Sequence, residues 1–242
     1  MSKQDIFYLK IEANKYFERN IAKAEKDITK KNNLIIRPSK KEIYKILNKN
    51  IKLKNKRILE IGSFISDLLF FLKKKHTCKV YGIEPSSLAC QFAREKYNLF
   101  IENKTFYKSK FFSSNSNIKN KFDVIICDDI LSWVDRSLIL ETVSKIDSLL
   151  KENGFIFFRD FSPNRNIAVR NHHHKGKNIF NYKVEDGHKS FFLLSGKYKK
   201  IYSRKFTTNK FQINRSRSKE TNVWCHDLLK KYKKNNYRIV SL

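Results

Sequence analysis

No apolar run in this 242-residue chain approaches the ~20 residues needed to span a bilayer. Its opening, Met1-Ser2-Lys3-Gln4-Asp5, lacks the apolar stretch of a secretory signal. Cysteine is scarce: the four, at positions 78, 90, 127 and 225, form neither a CxxC pair nor a tight framework. They read as reduced thiols of a cytoplasmic protein, which excludes a disulfide scaffold. Glycine is scarce too, six in all. Acidic residues number only 23 against 52 Lys and Arg, leaving a formal charge of +29.

That charge is uneven. Residues 1–57 hold 17 basic against 6 acidic side chains, residues 58–158 hold 14 against 12, and residues 159–242 hold 21 against 5. A nearly neutral middle between two basic flanks suits nucleic acid, an anionic membrane surface or an acidic substrate. Lysine outnumbers arginine, and alanine is scarce, so compositional drift in an AT-rich genome explains the same numbers. Lysine dominance and the lack of a compact run interleaving aromatics with bases favour drift and a small acceptor; Tyr198 to Phe211 comes nearest to such a run.

Apolar residues recur at helical steps from Ile6 to Ile28, which predicts an amphipathic helix over residues 5–31. Pro38 and the box Ser39-Lys40-Lys41-Glu42 predict the start of a second helix. From Arg57 the texture becomes short apolar runs alternating with helices. Strands are expected at 58–62, 79–84, 105–107 (weak), 122–127 and 155–158, with a helix before the last ending at Gly154. Continuous apolar strands alternating with helices mean an α/β fold with a mostly parallel sheet covered on both faces. Beyond Arg159 the signals weaken: a loop or lid over 162–189, an edge strand over 199–207, an exposed turn at 215–219, a short helix over 223–234 and a final strand over 237–242.

Parallel sheets bind ligands beyond the carboxyl ends of their strands. The first strand ends in Glu60-Ile61-Gly62-Ser63, the second in Glu84-Pro85, and Gly62 and Glu84 stand 22 positions apart. That is close to the ~20 that separate a close-approach glycine from a ribose-binding acid. Together they imply an adenosine-type ligand.

At this point the sequence resembles the class I S-adenosylmethionine-dependent methyltransferases. The likeness rests on Ile58-Leu59-Glu60-Ile61-Gly62, Tyr81-Gly82-Ile83-Glu84-Pro85-Ser86, Phe122-Asp123-Val124-Ile125 and Leu149-Leu150-Lys151-Glu152-Asn153-Gly154-Phe155. Phe17-Glu18-Arg19-Asn20 and, more loosely, Asn181-Tyr182-Lys183 look like segments of bacterial methyltransferases of surface-sugar biosynthesis. The resemblance implies a Rossmann-like open, mostly parallel twisted sheet of roughly seven strands with helices on both faces. It also implies S-adenosylmethionine as cofactor. Residues 1–56 would be an N-terminal helical extension or cover, 57–162 the cofactor-binding core, and 163–242 a substrate-side lid and the final strands of the same sheet.

Glu60, Gly62, Ser63, Glu84, Pro85 and Asp128 are the expected cofactor contacts, with Asp129 open to cofactor or substrate. The family's first loop resembles acid-x-Gly-x-Gly-x-Gly; here Phe64 and Ser66 occupy the later glycine positions. A dinucleotide oxidoreductase is the fold-level rival, but it wants three glycines there. His172, His173, His174 and Asp160 are the candidates for removing an acceptor proton. Adjacent histidines cannot all point into one site, so no metal is expected. The expected activity is methyl transfer to an oxygen or nitrogen of a small sugar- or nucleotide-type acceptor. The alternative is an RNA-directed methyltransferase, or a basic RNA-binding protein whose cofactor site has decayed.

Overall fold

The apolar runs from Arg57 onward form the middle of one twisted sheet in the computed structural model, which describes residues 2–29, 36–112, 122–171, 173, 179–207 and 222–233. Its strands are β1 (Arg57–Ile61), β2 (Lys79–Ile83), β3 (Phe122–Asp128), β4 (Leu150–Phe161), β7 (Tyr198–Thr207) and β8 (Val223–Lys231), in the order β2-β1-β3-β4-β8-β7. The four strands β2-β1-β3-β4 run parallel, while β8 lies antiparallel between β4 and β7. A separate antiparallel ribbon joins β5 (Ile167–Arg170) to β6 (Phe180–Lys183).

Both faces are covered, as continuous apolar strands require. On one face α3 (Pro38–Asn50), α4 (Asp67–His76) and α5 (Ser87–Tyr97) place Ile43, Leu47, Leu68 and Ala93 against Val124, Ile126, Phe157 and Leu228. On the other, α6 (Ile139–Leu149) and α7 (Lys189–Leu194) place Ile139, Ile146 and Phe192 against Ile125, Ile156 and Phe158. Ahead of α3 come α1 (Lys3–Phe7), a π-helical turn over Tyr8–Glu12 and α2 (Ala13–Thr29). Phe17 and Ile21 of α2 pack on Phe64, Ile65 and Ala89. No helix among the described residues is long and apolar enough to cross a membrane.

Several local expectations give way. The Ser39–Glu42 box does not cap α3; Arg37 is the N-cap, Pro38 is the first helical residue, and the Asp67 carboxylate accepts from the Arg37 amide at 2.8 Å. Residues 105–107 form a short 3₁₀ turn over Phe106–Lys108, and only an isolated bridge, Ile83 to Glu102, stands at that edge. The main sheet therefore has six strands among the described residues, not seven. Helix α6 stops at Leu149 rather than Gly154, the chain enters β4 directly, and Asn153 takes the left-handed conformation (φ 61°). Leu140 is 68% exposed, while Thr142 turns inward.

The largest correction is β8. Its run Val223-Trp224-Cys225-His226-Asp227-Leu228-Leu229 has apolar residues at helical spacing, yet it is a central strand. Insertion between β4 and β7 buries both of its faces and masks the alternation a half-exposed strand would show. The expected lid over 162–189 contains β5, β6 and the start of α7. The expected turn at 215–219 and strand at 237–242 lie outside the described residues.

Candidate cofactor and acceptor site

The order β2-β1-β3 reverses direction between β1 and β3, and that reversal opens a crevice beyond their carboxyl ends. At its floor the chain leaves β1 at Gly62, which has φ +69°. The amides of Gly62 and Ser63 both donate to the Ile83 carbonyl, at 2.8 and 3.3 Å, stitching the loop to the end of β2. A Cβ on Gly62 would stand 2.9 Å from the tip of the Ile130 side chain, which could turn aside, so it is the positive φ that calls for glycine here.

Phe64 (φ 49°) and Ser66 (φ 59°) also sit in the left-handed region, where the family's loop has glycines. Each non-glycine residue there costs ~1–2 kcal/mol, so the loop keeps its shape against local strain. Compensation comes from packing. The Phe64 ring stands edge-on to Tyr16 at 5.5 Å, tilted against Phe17 at 5.9 Å, with the Arg37 guanidinium 5.0 Å from its centre. Ser63 and Ser66 hydroxyls bond each other at 3.0 Å. Ser63 thereby faces inward rather than into the crevice, fully buried.

Glu84 stands at the end of β2 as the sequence placed it. Its carboxylate accepts from the Phe64 amide at 2.8 Å and the Ser86 amide at 2.9 Å. Burial, only partly offset by those two amides, pushes its carboxyl up to about 7. Ser86 caps α5 by accepting from the Ala89 amide, and its hydroxyl donates to Asn14 of α2 at 2.8 Å. The Pro85 carbonyl accepts from the Asn103 side chain.

Glu60 and Asp128 have partners that the sequence reading missed. Lys40, from α3, reaches Glu60 at 2.5 Å and Asp128 at 2.6 Å, and all three side chains are nearly or wholly buried. Asp128 also meets Arg159, and Arg37 pairs with the fully buried Asp67 at 2.7 Å. Burial opposes both aspartates' charges, yet Arg159 and Lys40 hold Asp128, and Arg37 holds Asp67, below the usual carboxylate range. Glu60 goes the other way: burial outweighs Lys40 and pushes it up. Asp128 is thus the stronger partner of Lys40. Glu60 Oε2 is buried with no hydrogen bond. In the sequence Lys40 stands within the Ser39–Glu42 box and the basic N-terminal flank, and nothing in its spacing marks it as a partner of Glu60 and Asp128.

The other half of the crevice lies beyond β3 and β4. Asp129 is left-handed (φ 55°) and donates its amide to the Arg159 carbonyl at 2.7 Å. Burial raises its carboxyl to about 7, Arg159 opposing and Asp160 and Asp128 reinforcing. Ser132 donates to Asp129 at 3.3 Å, and Asn181 of β6 donates to Ser132 at 2.8 Å. Gln4 of α1 holds the carbonyls of Trp133 and Phe180 at 2.8 and 3.1 Å, and Tyr8 packs on Trp133. The N-terminal segment therefore touches both the start of α5, through Asn14, and the Trp133 and β6 side, through Gln4 and Tyr8.

Asp160 is not at the acceptor's disposal. It accepts from the amide and meets Nδ1 of His188, at 3.0 and 2.5 Å, fastening the start of α7 to β4, and both side chains are buried. His172 and His174 lie outside the described residues; His173 is exposed, its amide bonded to Asn171 at 3.0 Å.

The donor set fits an adenosine-bearing cofactor: a glycine at positive φ, an acid at the neighbouring strand end, and a buried Glu60 oxygen still lacking a donor. The comparisons agree. A methyltransferase-domain family profile matches residues 52–239, so the chain belongs to that family. It is an S-adenosylmethionine-dependent enzyme of mixed α/β fold.

Among solved structures, it is similar to an S-adenosylmethionine-dependent methyltransferase of Methanosarcina mazei at 15% identity and TM-score 0.59, over 77% of this chain and 97% of that one. It is also similar to the 1,6-didemethyltoxoflavin-N1-methyltransferase of Burkholderia thailandensis, solved with S-adenosylhomocysteine (13%, TM-score 0.55, 90% and 88%). A third is the N-methyltransferase NodS of Bradyrhizobium japonicum, also solved with S-adenosylhomocysteine (14%, 0.55, 90% and 98%). No curated protein matches the sequence.

Proposed function

We propose that the protein methylates an oxygen or nitrogen of a small sugar- or nucleotide-type acceptor, with Asp129 taking the acceptor's proton. The observation that carries the reading is the loop after β1 bonded directly to Glu84 at the crevice, with the half-buried Asp129, its backbone left-handed, just past the end of β3. S-adenosylmethionine, held by Glu84 and the Gly62 loop, would supply the methyl group, which would leave its sulfur for the acceptor atom. The chain's own task is alignment and proton removal. Glu84 and the Gly62 loop hold the adenosine end. A carboxyl near 7 is well matched to accepting a proton at neutral pH. The N-methyltransferases among the structural neighbours, and the Phe17–Asn20 likeness to surface-sugar enzymes, support small acceptors.

Calorimetry with S-adenosylhomocysteine is expected to show one binding site per chain. No heat at millimolar ligand would remove the enzyme reading. Asp129→Asn is expected to leave that binding within twofold and to lower turnover by ~10²–10⁴, the usual worth of a general base. A variant with full turnover would exclude Asp129 from proton removal.

A further inference from the structure

Strand β7 is an edge of the sheet, and a register shift between Lys200 and Tyr202 changes which side chains share a face. Lys199 pairs with Lys230 and, past the shift, Tyr202 pairs with Leu228, Arg204 with His226 and Phe206 with Trp224. The partners 230, 228, 226 and 224 all lie on one face of β8, the face that α3 covers further inward. The irregularity therefore brings Lys199, Tyr202, Arg204 and Phe206 into one row, cation and ring alternating. Sequence alternation alone would have put Lys199 on the face opposite Tyr202.

Three features set this row apart from ordinary surface charge. Lys199 and Arg204 are exposed and meet no carboxylate among the described residues, while Tyr202 and Phe206 are half-buried. At one end the Tyr232 ring lies 5.1 Å from the Lys199 ammonium and 5.3 Å from that of Lys230. At the other, His226 is 4% exposed, and its Nε2 is buried without a hydrogen-bond partner between Arg204 and Arg159. The indole Nε1 of Trp224, beside Phe206, is also buried and unpartnered. Edge lysines by themselves serve to discourage strand-to-strand aggregation. Tyr202 packs partly on the core beneath α3 and the Phe206 ring lies 4.7 Å from that of His226, each keeping part of its ring exposed, and the edge role does not explain the two buried nitrogens lacking partners.

We propose that the β7–β8 face binds single-stranded nucleic acid, with Lys199, Arg204 and Lys230 on phosphates and Tyr202 and Phe206 as base-stacking rings. Alternating positions on a strand are ~6.8 Å apart. The two rings, Tyr202 and Phe206, are four positions apart, about 13 Å along the strand and several times the repeat of a stacked strand, so the row suits an unstacked one. Rings with interspersed cations bind single strands with little sequence preference, because every base has a π-face. Among the described residues of this segment, 198–207 and 222–233 carry 7 Lys and Arg against 1 Asp, which gives the face the matching field. The row runs toward Phe161 and Arg159 at the acceptor end of β4 but does not depend on which acceptor is methylated.

Fluorescence anisotropy with a short labelled oligouridylate tests this on the full chain, beside heparin and phosphatidylserine vesicles as competitors. Lys199→Glu with Arg204→Glu is expected to weaken the oligonucleotide at least tenfold. It should also make the log–log salt slope shallower by about 1.4, at ~0.7 per lost phosphate contact. Tyr202→Leu and Phe206→Leu keep apolar bulk, so the fold is preserved, and each is expected to weaken the oligonucleotide roughly fivefold while heparin affinity stays the same. Equal loss toward heparin in the leucine variants, vesicle binding tighter than oligonucleotide binding, or no salt-dependent binding at all would each overturn the proposal. Unchanged S-adenosylhomocysteine binding in every variant separates this outcome from failure of the catalytic reading.

Discussion

Replacing Lys40 with methionine is expected to destabilise the protein by ~3–5 kcal/mol, the cost of leaving buried charge without its partner. Lys40 balances two buried carboxylates at once, Glu60 at 2.5 Å and Asp128 at 2.6 Å. Methionine fills much of the same volume, so the loss reports charge more than packing. Chemical denaturation measures it, and the double variant Lys40→Met/Glu60→Gln is the control. Removing the Glu60 charge should restore part of the loss, and a double variant no more stable than the single one would refute the electrostatic account.

The pH dependence has a definite sign. Asp128 and Asp67 are held below their ordinary value of 3.8, so the stability they contribute is complete above that pH and is lost as pH falls through their lowered folded-state values. Without Lys40, Glu60 and Asp128 protonate more readily, and the variant's deficit should shrink in acid.

Glu84→Ala is expected to weaken S-adenosylhomocysteine binding by ~1.5–3 kcal/mol, the worth of a hydrogen bond to a charged group, or roughly 10- to 150-fold. A strand-end acid facing a crevice has little packing of its own to lose. The structure adds a stability cost, because the Phe64 and Ser66-side loop rests on that carboxylate and the amides of Phe64 and Ser86 would lose their acceptor. Glu84→Gln retains one acceptor oxygen, enough for one of the two amides, and should recover part of that stability but not the affinity.

In the wild type the folded-state value is about 7 against an ordinary 4.5. Stability from the neutral form is therefore complete below 4.5 and lost as pH rises through 7. Cofactor affinity runs the opposite way, since ribose hydroxyls donate to the ionised form, and it should climb through pH 7 and then level off. A flat affinity profile in the wild type would show that Glu84 does not hold the ribose.

The parallel core was legible because its signals are local: β1, β2, β3 and β4 are continuous apolar runs, and Gly62 and Glu84 sit at their ends. A strand buried on both faces needs only its own composition to be recognised. β8 was not legible by the same logic, because Asp227 and His226 interrupt it. Their burial depends on Lys189 of α7, 2.9 Å from Asp227, and on the packing of β7.

The candidate site divides in the same way. The sequence by itself determined the α/β alternation, the family and the identity of the strand-end residues Glu60, Gly62, Glu84, Asp128 and Asp129, since each follows directly from where an apolar run stops. Only the tertiary structure decided which of them remain available. Lys40 reaches Glu60 across 20 positions of chain, His188 reaches Asp160 across 28, and the shift in β7 selects the row of rings and cations. Pairing over such separations is set by helix docking and strand register, and neither leaves a periodicity that can be read along the chain.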